Sequence, residues 1–348
     1  MQARLRAVAP SRGHSDMKIL ILGGTVFLGR ALTDAAIARG HHVTHFNRGR
    51  APDPRVETIV GDRTVGLDAL AGRRWDAVID TCAYVPGVVA KSAGALRDNV
   101  GRYLFVSSIS VYANLGVANV DENAPVAALG DRSAETMTPE TYGPLKALCE
   151  EEVRKVFGER ALIARPGLIV GPHDPTDRFS YWPWRIAKGG VVLAPGKPLR
   201  GLQFIDVRDL AVWMVALLER QATGTFQATG PKSNLNMGTF LDACARVVDT
   251  KPEIAWTDEA LLAAHEVKPW TELPLWLPQS DAAHAGFMKV SITKALAAGL
   301  TIRPVADTIR DTLEWLKTRS PDHAWKAGLT PERETELLKA RAEAVLQP

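Results

Sequence analysis

The chain is poor in several features that would narrow its chemistry. Its 348 residues include three cysteines, Cys82, Cys149 and Cys244, widely spaced and odd in number. That pattern excludes a disulfide framework, offers no metal-ligand spacing and points to a reducing, cytoplasmic compartment. No apolar run approaches the roughly 20 residues that cross a bilayer, so no membrane partner is expected. Neither sign of charge dominates: 42 Lys and Arg face 39 Asp and Glu, a net charge of +3. So small an excess argues against nucleic acid as the main partner and suits an anionic cofactor. His41, His42 and His45 cluster, but successive strand side chains face opposite ways, so they form no metal site. There is no internal repeat and no low-complexity segment. Residues 1–16 are polar and basic, without the apolar stretch of a signal peptide, and are expected to form a disordered tail. Met17 directly precedes the first strand and reads as an alternative start.

What is present is a regular alternation. Lys18-Ile19-Leu20-Ile21-Leu22 is a short, almost wholly apolar run, as expected of a strand buried on both faces. Further strands are expected at 42–46, 57–60, 75–80, 102–107 and 161–165, with helical stretches between most of them. Such alternation predicts a parallel sheet with helices on both faces. A helix over 210–220 and a short strand over 224–230 return the chain to that sheet. Thr330-Pro331-Glu332 is a helix start, a cap followed by proline at the first position.

Three segments carry chemistry. Gly23-Gly24-Thr25-Val26-Phe27-Leu28-Gly29 follows the first strand and precedes a helical pattern over 30–39. In a strand-to-helix turn, backbone N–H groups and the helix dipole can face a pyrophosphate. Arg102-Tyr103-Leu104-Phe105-Val106-Ser107-Ser108 is a buried-strand pattern ending in hydroxyls, which would project into the crevice of an open α/β sheet. Tyr142-Gly143-Pro144-Leu145-Lys146 sets a phenol and an ammonium one helical turn apart. A lysine there would favour the phenolate and draw its pKa towards neutrality. The same spacing also occurs in ordinary amphipathic helices. Pro144 is tolerated only in a first turn, which predicts a helix beginning close to Tyr142.

Taken with Gly61-Asp62, Val111-Tyr112, Arg165, Gly171-Pro172 and Phe204 to Asp209, these segments resemble the extended or atypical short-chain dehydrogenase/reductases, where nucleotide-sugar epimerases and dehydratases sit. The resemblance spans residues 17–232. One departure is Val26, where extended members usually have glycine; its side chain must point away from the phosphates. The Gly-Gly-Thr-x-Phe-Leu-Gly form is similar to an atypical subgroup that also contains chloroplast stem-loop RNA-binding proteins. The resemblance implies an α/β, Rossmann-type doubly wound parallel sheet with a small C-terminal substrate-binding region. Residues 17–172 would bind NAD(P), with 200–232 returning to that domain. Residues 173–199 and 233–348 would form the substrate-binding region and a C-terminal helix.

The resemblance also assigns roles. Tyr142 is the acid/base, Lys146 lowers its pKa and binds the nicotinamide ribose, and Ser108 holds the substrate oxygen. Ser108 fits better than Ser107 or Ser110 because it lies four positions before Tyr112. Gly23, Gly24, Thr25, Phe27, Leu28, Gly29, Asn47, Arg48 and Asp62 complete the cofactor site. Where NAD-preferring members carry an acid after the second strand, this chain has Asn47-Arg48-Gly49-Arg50. Arg48 and Arg50 could pair with a 2′-phosphate, favouring NADP with NAD as the other candidate; otherwise they are solvated loop arginines.

For the substrate, Arg178 and Arg185 could meet a phosphate, and Trp182 and Trp184 could stack on a sugar or base. Surface arginines and packing tryptophans are the competing reading. Trp270 and Trp276, among prolines, read as packing staples. The expected function is hydride transfer at a carbinol or carbonyl carbon of a small, sugar-like substrate, by an epimerase or reductase. A dehydratase is disfavoured because Ile109 and Ser110, not an acid pair, follow Ser108. The alternative is a non-catalytic dinucleotide-sensing or RNA-binding protein on the same fold. A homodimer is left open.

Overall fold

The computed structural model describes residues 16–132, 135–231 and 235–346. The tail expected over 1–16 lies outside the described residues except for Asp16. The amino-terminal half begins with β1 (Lys18–Leu22), α1 (Leu28–Ala38), β2 (His42–Asn47), β3 (Glu57–Val60), β4 (Trp75–Asp80), α2 (Pro86–Leu96) and β5 (Val100–Val106). There follow α3 (Pro139–Phe157), β6 (Ala161–Pro166), β7 (Ile169–Val170), α4 (Tyr181–Ala187), β8 (Val191–Pro195), β9 (Gly201–Leu202), β10 (Ile205–Asp206) and α5 (Val207–Glu219). The chain continues through β11 (Gly224–Ala228), β12 (Leu235–Asn236), α6 (Met237–Val248), β13 (Glu253–Thr257), α7 (Glu259–Ala264), α8 (Thr293–Ala297), α9 (Val305–Leu316) and α10 (Pro331–Leu346).

Seven strands form one sheet in the order β11-β6-β5-β4-β1-β2-β3. Every pairing in it is parallel. The chain starts in the middle at β1, winds outward to β3, then crosses to β4 and winds the other way. That reversal leaves a crevice at the carboxyl ends of β1 and β4, where open α/β sheets bind ligands. The central strands are apolar at nearly every position because helices cover both faces. Ile19 and Ile21 pack with α1 and α5 on one side, and Leu20 and Leu22 pack with α2 and α3 on the other. A second core forms around Phe179, Tyr181, Trp182 and Phe240, and draws α4, α6, β8 and α9 together.

Two expectations change. The helix bearing Tyr142 starts at Pro139, close to the tyrosine as expected, but Pro144 falls past its first turn. Thr138 makes a reciprocal capping box with Thr141, and Pro139 takes the first position. The cap decides the start, and Pro144 is accommodated inside the helix. It lies five residues past the start, where its missing N–H removes one helix bond. The helix after β10 likewise begins at Val207, capped by the Asp206 side chain, rather than at 210.

One buried ion pair ties the sheet to its helices. Arg63 reaches Asp80, at the end of β4, with Nη2 2.8 Å from Oδ2, and donates from the same nitrogen to Ser92 Oγ of α2 at 2.8 Å. Tyr103 of β5 donates to Asp80 Oδ2 at 2.6 Å. Asp80 is fully buried and Arg63 is 8 % exposed. The guanidinium holds the Asp80 carboxyl below its usual range although burial alone would raise it. Removing one member of such a pair strands the other charge. Asp80→Asn should therefore lower the unfolding free energy by about 3–5 kcal/mol. Denaturant unfolding checks this; a loss below about 1 kcal/mol, the scale of a surface pair, would contradict it.

Candidate active site

The glycine turn is built for close approach. Gly23 and Gly24 have φ of +104° and +94°, a region that favours glycine. A Cβ on Gly24 would stand 2.5 Å from the His45 ring, and one on Gly29 would stand 2.8 Å from the Gly24 backbone. Thr33 supports the turn from α1, its hydroxyl donating to Gly29 O at 2.9 Å and meeting His45 Nε2 at 2.8 Å. Asn47 closes the other side, donating to Gly23 O at 2.9 Å and accepting from the Gly49 N–H at 2.8 Å. Helix α1 has no side-chain cap, and no acidic residue in its first turn. Its amino-terminal N–H groups are thus turned to a site that a pyrophosphate can fill. Val26 is 66 % exposed, outside the packed core. Thr25, Phe27 and Leu28 complete the turn; Phe27 sits at the helix edge with φ +42°.

Arg48 and Arg50 are exposed at the carboxyl end of β2. Asp62 lies across from them, held below the usual carboxylate range first by the Thr64 hydroxyl and backbone N–H, with both arginines adding to it. Neither arginine makes a hydrogen bond or ion pair among the described residues.

Ser108, Tyr142 and Lys146 converge at the carboxyl end of β5. Ser107 points into the protein and is 4 % exposed. Ser108 caps the short turn Ile109–Val111 by accepting from the Ser110 N–H at 3.1 Å. Its own hydroxyl hydrogen stays free to face the Tyr142 phenol. Helix α3 can sit this close because of Gly143, where a Cβ would lie 2.0 Å from Ser110 O. Gly143 is therefore part of the site, a role the phenol–ammonium spacing does not reveal.

Lys146 differs from expectation. Its ammonium is 3 % exposed. It donates to Ala83 O at 2.9 Å and to Val106 O at 2.5 Å, and rests 4.3 Å from the centre of the Phe105 ring. Burial pulls its pKa down to about 8, against the pull of Cys149, Asp80, Glu150 and Cys82. The phenol moves the opposite way from that expected: burial pushes Tyr142 up, and the groups opposing this are Ser108 and then Arg178. The lysine spends its charge on carbonyls at the base of the crevice, and desolvation of the phenol outweighs the rest.

The three substrate candidates separate. Trp182 is fully buried, and its indole donates to Pro274 O at 2.8 Å. It packs the second core and cannot stack on a ligand. Arg185 pairs with Glu334 of α10 at 2.6 Å and donates to Gly189 O and Val191 O. It locks the carboxyl-terminal helix in place. Trp184 stacks on Trp325, with ring centroids 4.4 Å apart. Arg178 alone of these faces Tyr142. Its ring partner is the half-buried Trp270, whereas Trp276 is buried. A separate cavity of about 780 Å³ opens between 199–203 and 284–296, with Asn119, Arg200, His284 and Lys289 in its walls. Neither Ser108 nor Tyr142 lines it.

Known proteins share parts of this sequence and its fold. The chain is 25 % identical over 246 residues to the epimerase family protein SDR39U1 of Bos taurus, covering 65 % of this chain and 79 % of that one. It is 24 % identical over 255 residues to the chloroplast stem-loop binding protein of 41 kDa b of Arabidopsis thaliana, covering 67 % of this chain and 63 % of that protein. Its fold is similar to that of the UDP-glucuronic acid 4-epimerase from Bacillus cereus, solved in complex with NAD, with a TM-score of 0.64 at 15 % identity. That superposition covers 89 % of this chain and 100 % of the other. Residues 89–229 match the model of the NAD dependent epimerase/dehydratase family.

Proposed function

We propose that the chain is an NAD(P)-dependent epimerase or reductase that moves a hydride at a carbinol or carbonyl carbon of a sugar-like, nucleotide-activated substrate. The observation that carries this reading is the meeting of the Ser108 hydroxyl and the half-buried Tyr142 phenol above the buried Lys146 ammonium. A bound nicotinamide would supply the hydride. Gly23, Gly24, Thr25, Phe27, Leu28 and Gly29 would hold its pyrophosphate, and Asn47, Arg48 and Asp62 its adenosine end. Lys146 has used two of its three donors on Ala83 O and Val106 O, and the third is available to a ribose hydroxyl.

With its pKa raised, Tyr142 rests protonated at neutral pH and is ready to give its proton to a carbonyl oxygen. In the reverse direction the phenolate that must form is favoured by Ser108 and Arg178. Ser108 would bind the same substrate oxygen and stabilise the charge that develops there. The cavity beside 199–203 offers Arg200 and Lys289 to the anionic end of an activated substrate. The dinucleotide-sensing or RNA-binding alternative leaves the combination of Ser108, Tyr142 and Lys146 without a use.

Tyr142→Phe removes only the transferable proton. Turnover of a UDP-hexose panel, followed by NMR, should fall about 10²- to 10⁴-fold while dinucleotide affinity stays within error. Unchanged turnover would remove Tyr142 from the mechanism. Native mass spectrometry of the purified protein separates the two enzyme types. A tightly retained NAD supports an epimerase, and an empty site that takes up NADPH supports a reductase.

The lysine can be followed directly. With ¹³C-labelled lysine, one resonance should titrate near pH 8, well below the reference lysine value of about 10.4. Lys146→Met should delete that resonance. The ammonium is charged below about pH 8 and neutral above, so dinucleotide affinity should weaken as pH rises through that value. A lysine population titrating only above 10 would refute the burial argument. Arg48→Ala should weaken NADP(H) about 10-fold, the lower end for a charge-assisted bond at an exposed site, and leave NAD(H) nearly unchanged. Equal losses for the two cofactors, or a wild type that prefers NAD(H), would exclude a 2′-phosphate contact.

A further inference from the structure

Arg178 lies in the segment between β7 and α4, and the backbone around it is held firmly. The carboxylate of Asp177 accepts from Arg319 Nη1 at 2.6 Å, meets His323 Nε2 at 3.0 Å and accepts from the Lys326 N–H at 3.0 Å. Asp174 Oδ1 accepts from both the N–H and the hydroxyl of Thr176 at 2.8 Å. The guanidinium carbon of Arg178 stands 5.4 Å from the centre of the Trp270 ring. Trp270 is itself set edge-on to Phe287, with centroids 5.6 Å apart. One face of the cation is therefore covered and its direction set.

Its fork is empty. Among the described residues the Arg178 side chain makes no hydrogen bond and no ion pair; its backbone N–H contacts Thr176 Oγ1 at 3.5 Å. The other buried guanidinium groups are filled: Arg63 by Asp80, Arg165 by Glu150 and Arg319 by Asp177. The Asp174 carboxylate favours the cation through space but forms no hydrogen bond or ion pair with it among the described residues, so the cost of half-burying the guanidinium is recovered more fully when an anion bonds to it directly. Arg178 and the Tyr142 phenol lie within each other's field, so an anion on Arg178 is carried by the part of the substrate that reacts.

We propose that Arg178 receives a carboxylate borne by the substrate next to the reacting carbon, making the preferred substrate a uronic-acid-type sugar rather than a neutral one. This rests on the reading of Tyr142 given above. A carboxylate matches the site better than a phosphate because it is planar, singly charged and fits one guanidinium edge two-pronged. A phosphate dianion would leave a charge unmet, since Arg178 is a single cation and the Lys146 ammonium is held beneath the crevice by Ala83 O and Val106 O.

The test reads binding rather than turnover. The indole N–H resonance of Trp270, assigned with Trp270→Phe, is followed by NMR in the NAD-loaded protein. Titrants are the matched pairs UDP-glucuronate with UDP-glucose and glucuronate with glucose, and inorganic phosphate. Wild type should bind the acid of a pair at least about 10-fold more tightly than its neutral partner, the scale of one charge-assisted bond. Arg178→Met should abolish that preference while leaving the neutral sugar unchanged. Arg178→Lys keeps the charge but loses the fork, and should retain only part of the preference. Equal response to acid and neutral sugar, response to phosphate alone, response to neither acid, or a preference surviving in Arg178→Met would each overturn the proposal. If Tyr142→Phe leaves turnover intact, the catalytic reading fails while this binding result stands.

Discussion

A lysine ammonium cannot be left in a protein interior without partners, and Lys146 sets where everything else in the crevice must be. Its two carbonyl partners come from different strand ends, Val106 closing β5 and Ala83 following β4. To supply the ammonium to both, α3 has to enter the crevice at its amino-terminal end and lie almost in contact with the turn after β5. Gly143 permits that approach, and Thr138 with Pro139 starts the helix early enough to make it. Tyr142, one turn before the lysine, is then carried to the mouth beside Ser108. The position of the phenol is thus a consequence of neutralising a charge beneath it.

The surrounding electrostatics follow from the same burial. Arg63 and Asp80 form one buried pair, and Arg165 and Glu150 another, with Glu150 also reached by Arg154. Both carboxylates favour the charged form of Lys146 through space. The crevice floor is therefore locally balanced. Away from the floor, Arg48, Arg50 and Arg178 form no ion pair among the described residues, although Asp62 lies in the field of the first two and Asp174 in that of the third. Cations without bonded partners on a nearly neutral chain attract anions locally rather than over the whole surface.

Much of the fold was legible in the sequence because buried parallel strands read as apolar runs whatever surrounds them. The run at 18–22 is β1 without adjustment, and the run at 75–80 is β4. The glycine turn was legible because positive φ and backbone crowding leave few alternatives to glycine. Errors came where tertiary contacts override local signals. Pro144 argued for a place in the first turn, but Thr138 and Pro139 start the helix five residues before it and Pro144 lies inside. The lowered phenol pKa assumed that the lysine charge would act on the phenol; it acts on carbonyls, and desolvation dominates. Spacing along a helix gives no information about which groups lie beneath it.

The substrate side was the least legible for a related reason. Trp182, Trp184, Arg178 and Arg185 are indistinguishable as letters within one eight-residue stretch. Helix α4 buries Trp182 in the second core and turns Arg185 towards Glu334, because α10 must be anchored there. Arg178 precedes that helix, on backbone held by Asp174 and Asp177, and so avoids the packing face. Its partner Trp270 comes from 92 residues further along, on a residue with φ +66°, a conformation no sequence rule predicts for tryptophan. Only the folded chain brings the ring under the guanidinium. A guanidinium left without a bonded counter-ion is likewise visible only once the folded pairings of its neighbours are known.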